Sequence, residues 1–225
     1  MNTVSFSLLE LFQMGGIMMW PLLLFSIAAI ALSIERAVFL FYHDLRLDDL
    51  RESVLEYAAK ADYSGARQYL SALTKRRMGA RIFLSIFNTL ETGKDFSEHR
   101  TEQAAEIEAM NCINSLENGF NFLTTIGSLS PLTGFLGTVT GMIGAFRSIA
   151  EATEVNAQIV ASGIYEALIT TVFGLIIALI AMSSHSIFTH IVDNFTAKVE
   201  GTCSVLIARI ADQSPLSQTE TENNA

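Results

Sequence analysis

Apolar residues along this chain follow two patterns, long unbroken runs and a short helical repeat. From Phe120 to Phe146 the run FNFLTTIGSLSPLTGFLGTVTGMIGAF carries no charge, and from Ile159 to Ile191 the run IVASGIYEALITTVFGLIIALIAMSSHSIFTHI carries one acid, Glu166. An earlier run begins at Ile17, passes through MMWPLLLFSIAAIALS, and meets Glu35 and Arg36 only near its end. The two later runs each exceed the roughly 20 apolar residues that cross about 30 Å of hydrocarbon as a helix. The pattern predicts an all-α membrane protein with three transmembrane helices, over 17–42, 119–146 and 159–191.

Between the first two runs the pattern changes. Over 43–118, Leu45, Leu47, Leu50, Val54, Leu55 and Ala58 recur at helical spacing. A second helix is expected over about Ser64–Leu73, around Ala66, Tyr69 and Leu70. The stretch Ile82–Leu90 is apolar but too short to cross a bilayer, and reads as a buried helix. Glu91–Lys94 predicts a loop, and Asp95 with Glu98 a capping box. No proline follows until Pro131, so that helix is expected to run unbroken into the second span. At the start, 1–16 predicts a short helix on the membrane surface, with Val4, Phe6, Leu8, Leu9, Leu11 and Phe12 around Glu10 and a break at Gly15–Gly16. Residues 147–158 join the second and third spans, 192–212 form a further helix, and 213–225, QSPLSQTETENNA, are polar and expected to be disordered.

Composition and charge narrow the function. Half of the residues are hydrophobic and the mean hydropathy is +0.38, too apolar for an ordinary soluble domain, while 16% charged residues are too many for a chain wholly in lipid. A net charge of −9 without a basic patch argues against nucleic acid as a partner. The 43–118 segment carries Arg46, Arg51, Lys60, Arg67, Lys75, Arg76, Arg77, Arg81, Lys94 and Arg100, whereas no Lys or Arg precedes Arg36 and 147–158 holds only Arg147. The positive-inside rule then places 43–118 and the C-terminus in the cytoplasm, with the N-terminus and 147–158 outside. That N-terminus lacks the positive region of a signal peptide. Cys112 and Cys203, in helices far apart in sequence, read as free thiols of a non-oxidising compartment.

Polar groups inside the spans are the candidate chemistry. In the second, Gly134, Gly137, Gly141 and Gly144 recur at spacing 3-4-3 and make a small-residue seam, read as a contact between identical subunits. Pro131 and Thr138 share a face with Gly134. In the third, Ser162, Glu166 and Thr170 stack along one stripe, with Thr171 and Gly174 beside it. A threonine alone is ordinarily explained by a bond to its own helix. A carboxylate within a span costs a few kcal/mol, so Glu166 should face a bundle interior or a cavity. An enzyme would have to be built from Ser183, Ser184, His185 and His190, but the two histidines are five apart and share no face. No catalytic residue, metal site or cofactor is therefore expected.

In the strings Ser130–Phe146, SPLTGFLGTVTGMIGAF, and Gly163–Ala181, GIYEALITTVFGLIIALIA, the chain resembles the MotA/TolQ/ExbB proton-channel family. The first span, WPLLLFSIAAIALSIERAVFL, resembles the ExbB form. The resemblance implies a homopentameric ring in the bacterial inner membrane, its second and third spans lining a pore that holds two copies of a single-span ExbD- or TolR-like partner. Ion flow would then drive that partner and act on a TonB- or TolA-like protein. By motif match Thr138 and Thr171 would face the pore and Glu166 would lie near the ion path. Thr140 and Thr170 add hydroxyls where apolar residues are common in the family and bear on ion identity, expected to be H+ rather than Na+. Gly163 and Gly174 fall in the same strings as packing positions, and membrane lipids are the remaining partner. A TolQ-like or gliding-type motor, or a non-conducting scaffold in which Glu166 fixes subunit register, are the alternatives. The residues add one argument of their own. The second span has no titratable group and the third has Glu166, with His185 and His190 near its end, so the relay is half present and a partner should supply the rest.

Overall fold

The computed structural model describes residues 8–92, 97–151 and 157–213, and within these the chain is helical. The elements are α1 (Leu8–Met14), α2 (Met19–Tyr42), α3 (Asp48–Ala59), α4 (Tyr63–Leu73), α5 (Met78–Thr92), α6 (Glu98–Glu117), α7 (Phe120–Glu151) and α8 (Ala157–Asp212). Three helical stretches are long and apolar enough to cross a membrane, Met19–Tyr42, Glu98–Glu151 and Ala161–Asp212. The chain divides into two compact units, one of residues up to Arg36 with Gly119–Ile187, the other of Ala37–Asn118 with residues from Phe188 onward.

In the first unit α2, α7 and α8 share a core of Met19, Leu22, Ala29, Ile126, Ile169, Ile177 and Ala181. Leu11 and Phe12 of α1 pack against it, and the Phe12 ring meets Trp20 edge-on at 5.4 Å. The break after α1 is a real turn: Gly16 has φ +66°, and its carbonyl accepts from Met19 N–H at 3.3 Å. Pro21 lies in the first turn of α2, where its missing N–H costs least. Glu35 and Arg36, near the other end, bond each other through both oxygens, at 2.6 and 2.9 Å.

The second unit forms where periodic apolar positions close on each other. Leu50, Val54 and Ala58 of α3, Ala66 and Leu70 of α4, and Ile82, Phe83, Ile86 and Phe87 of α5 are fully buried. Asp62 caps α4 by accepting from Gly65 N–H at 2.9 Å. Arg81 of α5 pairs with Glu108 of α6 at 2.7 Å. The end of α8 buries Val192, Phe195, Val199, Leu206 and Ile210, and Lys198 reaches Asp48 of α3 at 3.3 Å. Burial pushes the Cys112 thiol up to about 11 and Cys203 to about 12.

Two local expectations change. The helix expected to run unbroken into the second span stops at Glu117. Asn118 takes ψ 129° and Gly119 a left-handed φ of +87°, and α7 restarts at Phe120. Asn-Gly ends a helix without any proline, because glycine enters the left-handed region at little cost. The residue preceding α6 is Ser97, with no side-chain cap bond, and α5 continues through Thr92 into the expected loop. The proposed cap at Asp95, Gly93 and Lys94 of that loop, residues 152–156 of the connection, Val4 and Phe6, and the tail from Ser214 lie outside the described residues.

Candidate functional site

The site is built on the seam between α7 and α8, where small residues bring two backbones together within one chain. A methyl built on Gly134 would lie 2.8 Å from the Thr170 carbonyl oxygen, and one on Gly174 2.6 Å from that of Ser130. Gly137 faces the Thr170 side chain. Gly141 faces Ala167 and the Gly163 carbonyl, both at 3.2 Å, and Gly163 in turn faces Ala145. Gly144 lies off this seam, with nothing within 4 Å of its would-be methyl. The face expected to meet an identical subunit is thus covered by α8 of the same chain. Pro131 sits inside α7 and takes the amide donor away from the turn that carries Gly127, which packs on Met182.

The threonines divide by what they bond. Thr170 is buried, and its hydroxyl donates to Ala167 O at 2.8 Å and across the seam to Gly134 O at 3.3 Å. Thr171 donates across to the same Gly134 carbonyl at 3.2 Å. Thr138 instead donates to Phe135 O at 2.6 Å, and Thr140 to Leu136 O at 3.0 Å and Gly137 O at 3.1 Å, all within α7. Gly134 can accept from two neighbours because no side chain stands between its carbonyl and α8.

Glu166 opens onto a groove of about 520 Å³ beside this seam, lined also by Met14, Thr140, Ser148, Ser162 and Gly163. The structure therefore brings Glu166 together with Thr140 and Ser162; Thr138, Thr170 and Thr171 do not line that groove. Among the described residues the Glu166 carboxylate makes no hydrogen bond and no ion pair. One side of it is closed by Gly16, where any Cβ would overlap the carboxylate. The sequence marked Gly15–Gly16 as a break but gave no sign that this turn lies on a carboxylate 150 positions later. Ser148 was likewise missed, since a lone serine near a helix end carries no signal of its own. His185 lies away from this groove, edge-on to Phe120 at 5.9 Å, and His190 meets Asn194 at 3.0 Å. No cluster of metal-binding side chains occurs among the described residues.

Such a site can hold and release a small cation. It offers one carboxylate without a fixed counter-ion, hydroxyls at hand, and beside it the uncharged 120–146 run of α7. The profile of the MotA/TolQ/ExbB proton channel family matches residues 74–201, which include α7, its seam with α8, and Glu166. The chain is 31% identical over 198 residues to the biopolymer transport protein exbB1 of Vibrio cholerae, covering 87% of this chain and 85% of that one. It is 27% identical over 181 residues to the biopolymer transport protein ExbB of Salmonella typhimurium, covering 78% and 73%. Over a shorter stretch of 74 residues, 33% of this chain and 32% of the other, it is 45% identical to the Tol-Pal system protein TolQ of Haemophilus influenzae.

Proposed function

Because this chain belongs to the MotA/TolQ/ExbB proton channel family, we propose that it is the channel-forming subunit of an ion-driven motor of the ExbB kind. Five copies would form a ring in the bacterial inner membrane around two copies of a single-span ExbD- or TolR-like partner, with the N-terminus periplasmic and the C-terminus cytoplasmic. The observation that carries the reading is Glu166, the one acid of the 159–191 run, without a bonding partner and open to a groove beside an uncharged span. One charge crossing the membrane releases about 2.3 kcal/mol per 100 mV, so the site must load and unload an ion at each step. A carboxylate with no counter-ion takes up H+ without first breaking an ion pair, and Thr140 and Ser162 can hold water against it. The opposite titratable group would belong to the partner, since the run 120–146 of α7 offers none. Movement of the partner would then do work on a TonB- or TolA-like protein.

The test is proton entry into liposomes holding the complex purified with its single-span partner, read by an enclosed pH-sensitive dye. Glu166→Gln should bring the flux to background while the native mass of the complex is unchanged. Wild-type flux in that variant overturns the assignment, and loss of the complex would make Glu166 a packing group. A TolQ-like role is the second reading, favoured by the 45% identity to TolQ over 74 residues. Rescue of envelope integrity in a TolQ-deficient strain, without rescue of energised uptake in an ExbB-deficient one, would select it.

A further inference from the structure

The second unit holds a pocket of about 640 Å³ where the last turn of α2, the loop after it and α8 from Phe188 onward come together. Its two halves differ in chemistry. One is apolar, with Phe41 (89% exposed), Ile191 and Phe195. The other carries the cations Arg46, Arg76 and Lys198. Phe41 and Ile191 stand at the ends of the apolar runs of α2 and α8, so the boundary between the halves falls where hydrocarbon gives way to headgroups.

The two acids that line the pocket, Asp44 and Asp48, are already engaged. Asp44 accepts from the Arg46 backbone N–H at 3.1 Å and from Arg77 at 3.2 Å, and its own N–H donates to Arg76 O at 3.2 Å. These bonds hold the two arginines at the pocket while the Asp44 carboxylate is turned to another residue. Asp48 serves Lys198 at 3.3 Å. Among the described residues the guanidinium groups of Arg46 and Arg76 make no ion pair and no hydrogen bond. Two exposed, uncompensated guanidinium groups beside an exposed aromatic ring at a membrane edge leave an anion and an acyl chain unmatched at one place.

We propose that this pocket binds the headgroup of an anionic phospholipid, Arg46 and Arg76 taking the phosphate and Phe41 and Ile191 lying along the acyl chain. The requirement is only that α2 and α8 cross a bilayer; the motor reading is not needed. An anionic lipid suits the site better than a zwitterionic one because neither carboxylate lining the pocket is left over to meet a choline or ethanolamine. Such a lipid would fasten the end of the first span to the loop that leads into α3.

Native mass spectrometry of the full chain, taken from mixed vesicles of phosphatidylcholine and phosphatidylglycerol, reads the proposal directly. Wild type should retain phosphatidylglycerol in preference to phosphatidylcholine. Arg46→Gln and Arg76→Gln should each lower that preference about fivefold, the effect of ~1 kcal/mol per basic residue at an anionic surface. The paired change to lysine should keep most of it, and Lys60→Gln, at the C-terminal cap of α3 and paired with Glu56, should keep all of it. Equal retention of both lipids by wild type, or an unchanged preference in the double glutamine variant, overturns the proposal. Displacement of the lipid by millimolar inorganic phosphate overturns it in favour of a soluble-anion site. Should the double glutamine variant lose its helical circular dichroism, the two single variants decide the matter by the same fivefold criterion.

Discussion

Thr170 and Thr171 sit next to each other on α8 and donate to one carbonyl, that of Gly134 on α7. The sequence identified both residues and Gly134 but not their partnership, because a single chain does not state which helix faces meet. The ordinary fate of a helical threonine, a bond to its own backbone, holds for Thr138 and Thr140, and Thr171 departs from it. Each hydroxyl alone keeps the seam tied, so Thr170→Val or Thr171→Val should cost about 0.6 kcal/mol or less, the usual worth of an interhelical hydrogen bond in a membrane protein. The double variant should cost more than the sum, since both changes strip the same acceptor of its cross-seam donors. Thermal midpoints in one detergent, followed by circular dichroism, give all three values. Strict additivity would mean that the two bonds are independent. A flux defect in Thr171→Val far beyond its stability loss would mark that hydroxyl as part of the ion path as well.

Between residue and molecule lies the helix end, and here the two long apolar helices differ. α8 passes from Ile191 to Asp212 without a break, whereas α6 and α7 are parted at Asn118–Gly119. The absence of proline misled the expectation of one rod, since Asn-Gly is itself a turn signal and was present in the sequence. Gly119 is held at φ +87°, and a methyl there would lie 3.3 Å from Arg36 Nε. Gly119→Ala should therefore destabilise the chain by about 1–2 kcal/mol, the cost of a left-handed residue with a side chain. Gly144 provides the contrast, being helical and open on all sides. Gly144→Ala should be neutral or raise stability by up to about 1 kcal/mol, as alanine is the better helix former. Comparable losses from both substitutions would remove the junction as a special position. Glycine content was thus legible, but which glycines meet a backbone, which bend one and which are free was not.

At the scale of the whole molecule the question is what covers the spans. Only 11% of the most apolar stretch of α2 is buried, against 28% for Glu98–Glu151 and 39% for Ala161–Asp212. The exposed side chains within α2 include Leu24, Ile27, Ile30 and Ile34, an aliphatic row suited to lipid. α7 instead exposes Leu132, Phe135 and Val139 alongside the hydroxyls of Thr125, Ser128 and Thr140. These hydroxyls donate to carbonyls of their own helix, yet each keeps an acceptor that water or a neighbouring chain can use, so this mixed face suits such contacts better than the aliphatic row of α2 does. The three spans and the family were legible because both rest on residue type and order along the chain. Where the glycine seam went was not, and its use inside the protomer leaves only the remaining face of α7 for the contact of the proposed ring. Substitutions should separate the two surfaces. Native mass spectrometry in mild detergent should show five chains of 24.6 kDa, with or without a smaller partner. Phe135→Ala should weaken that assembly by removing a large ring from the contact, whereas Ile27→Ala on the lipid row should leave five copies in place. Gly137→Leu should act earlier, by driving α7 from α8 at Thr170 and lowering the amount of folded protomer. If Ile27→Ala dissolves the ring and Phe135→Ala does not, α2 rather than α7 makes the subunit contact, and a pore lined by α7 falls with it.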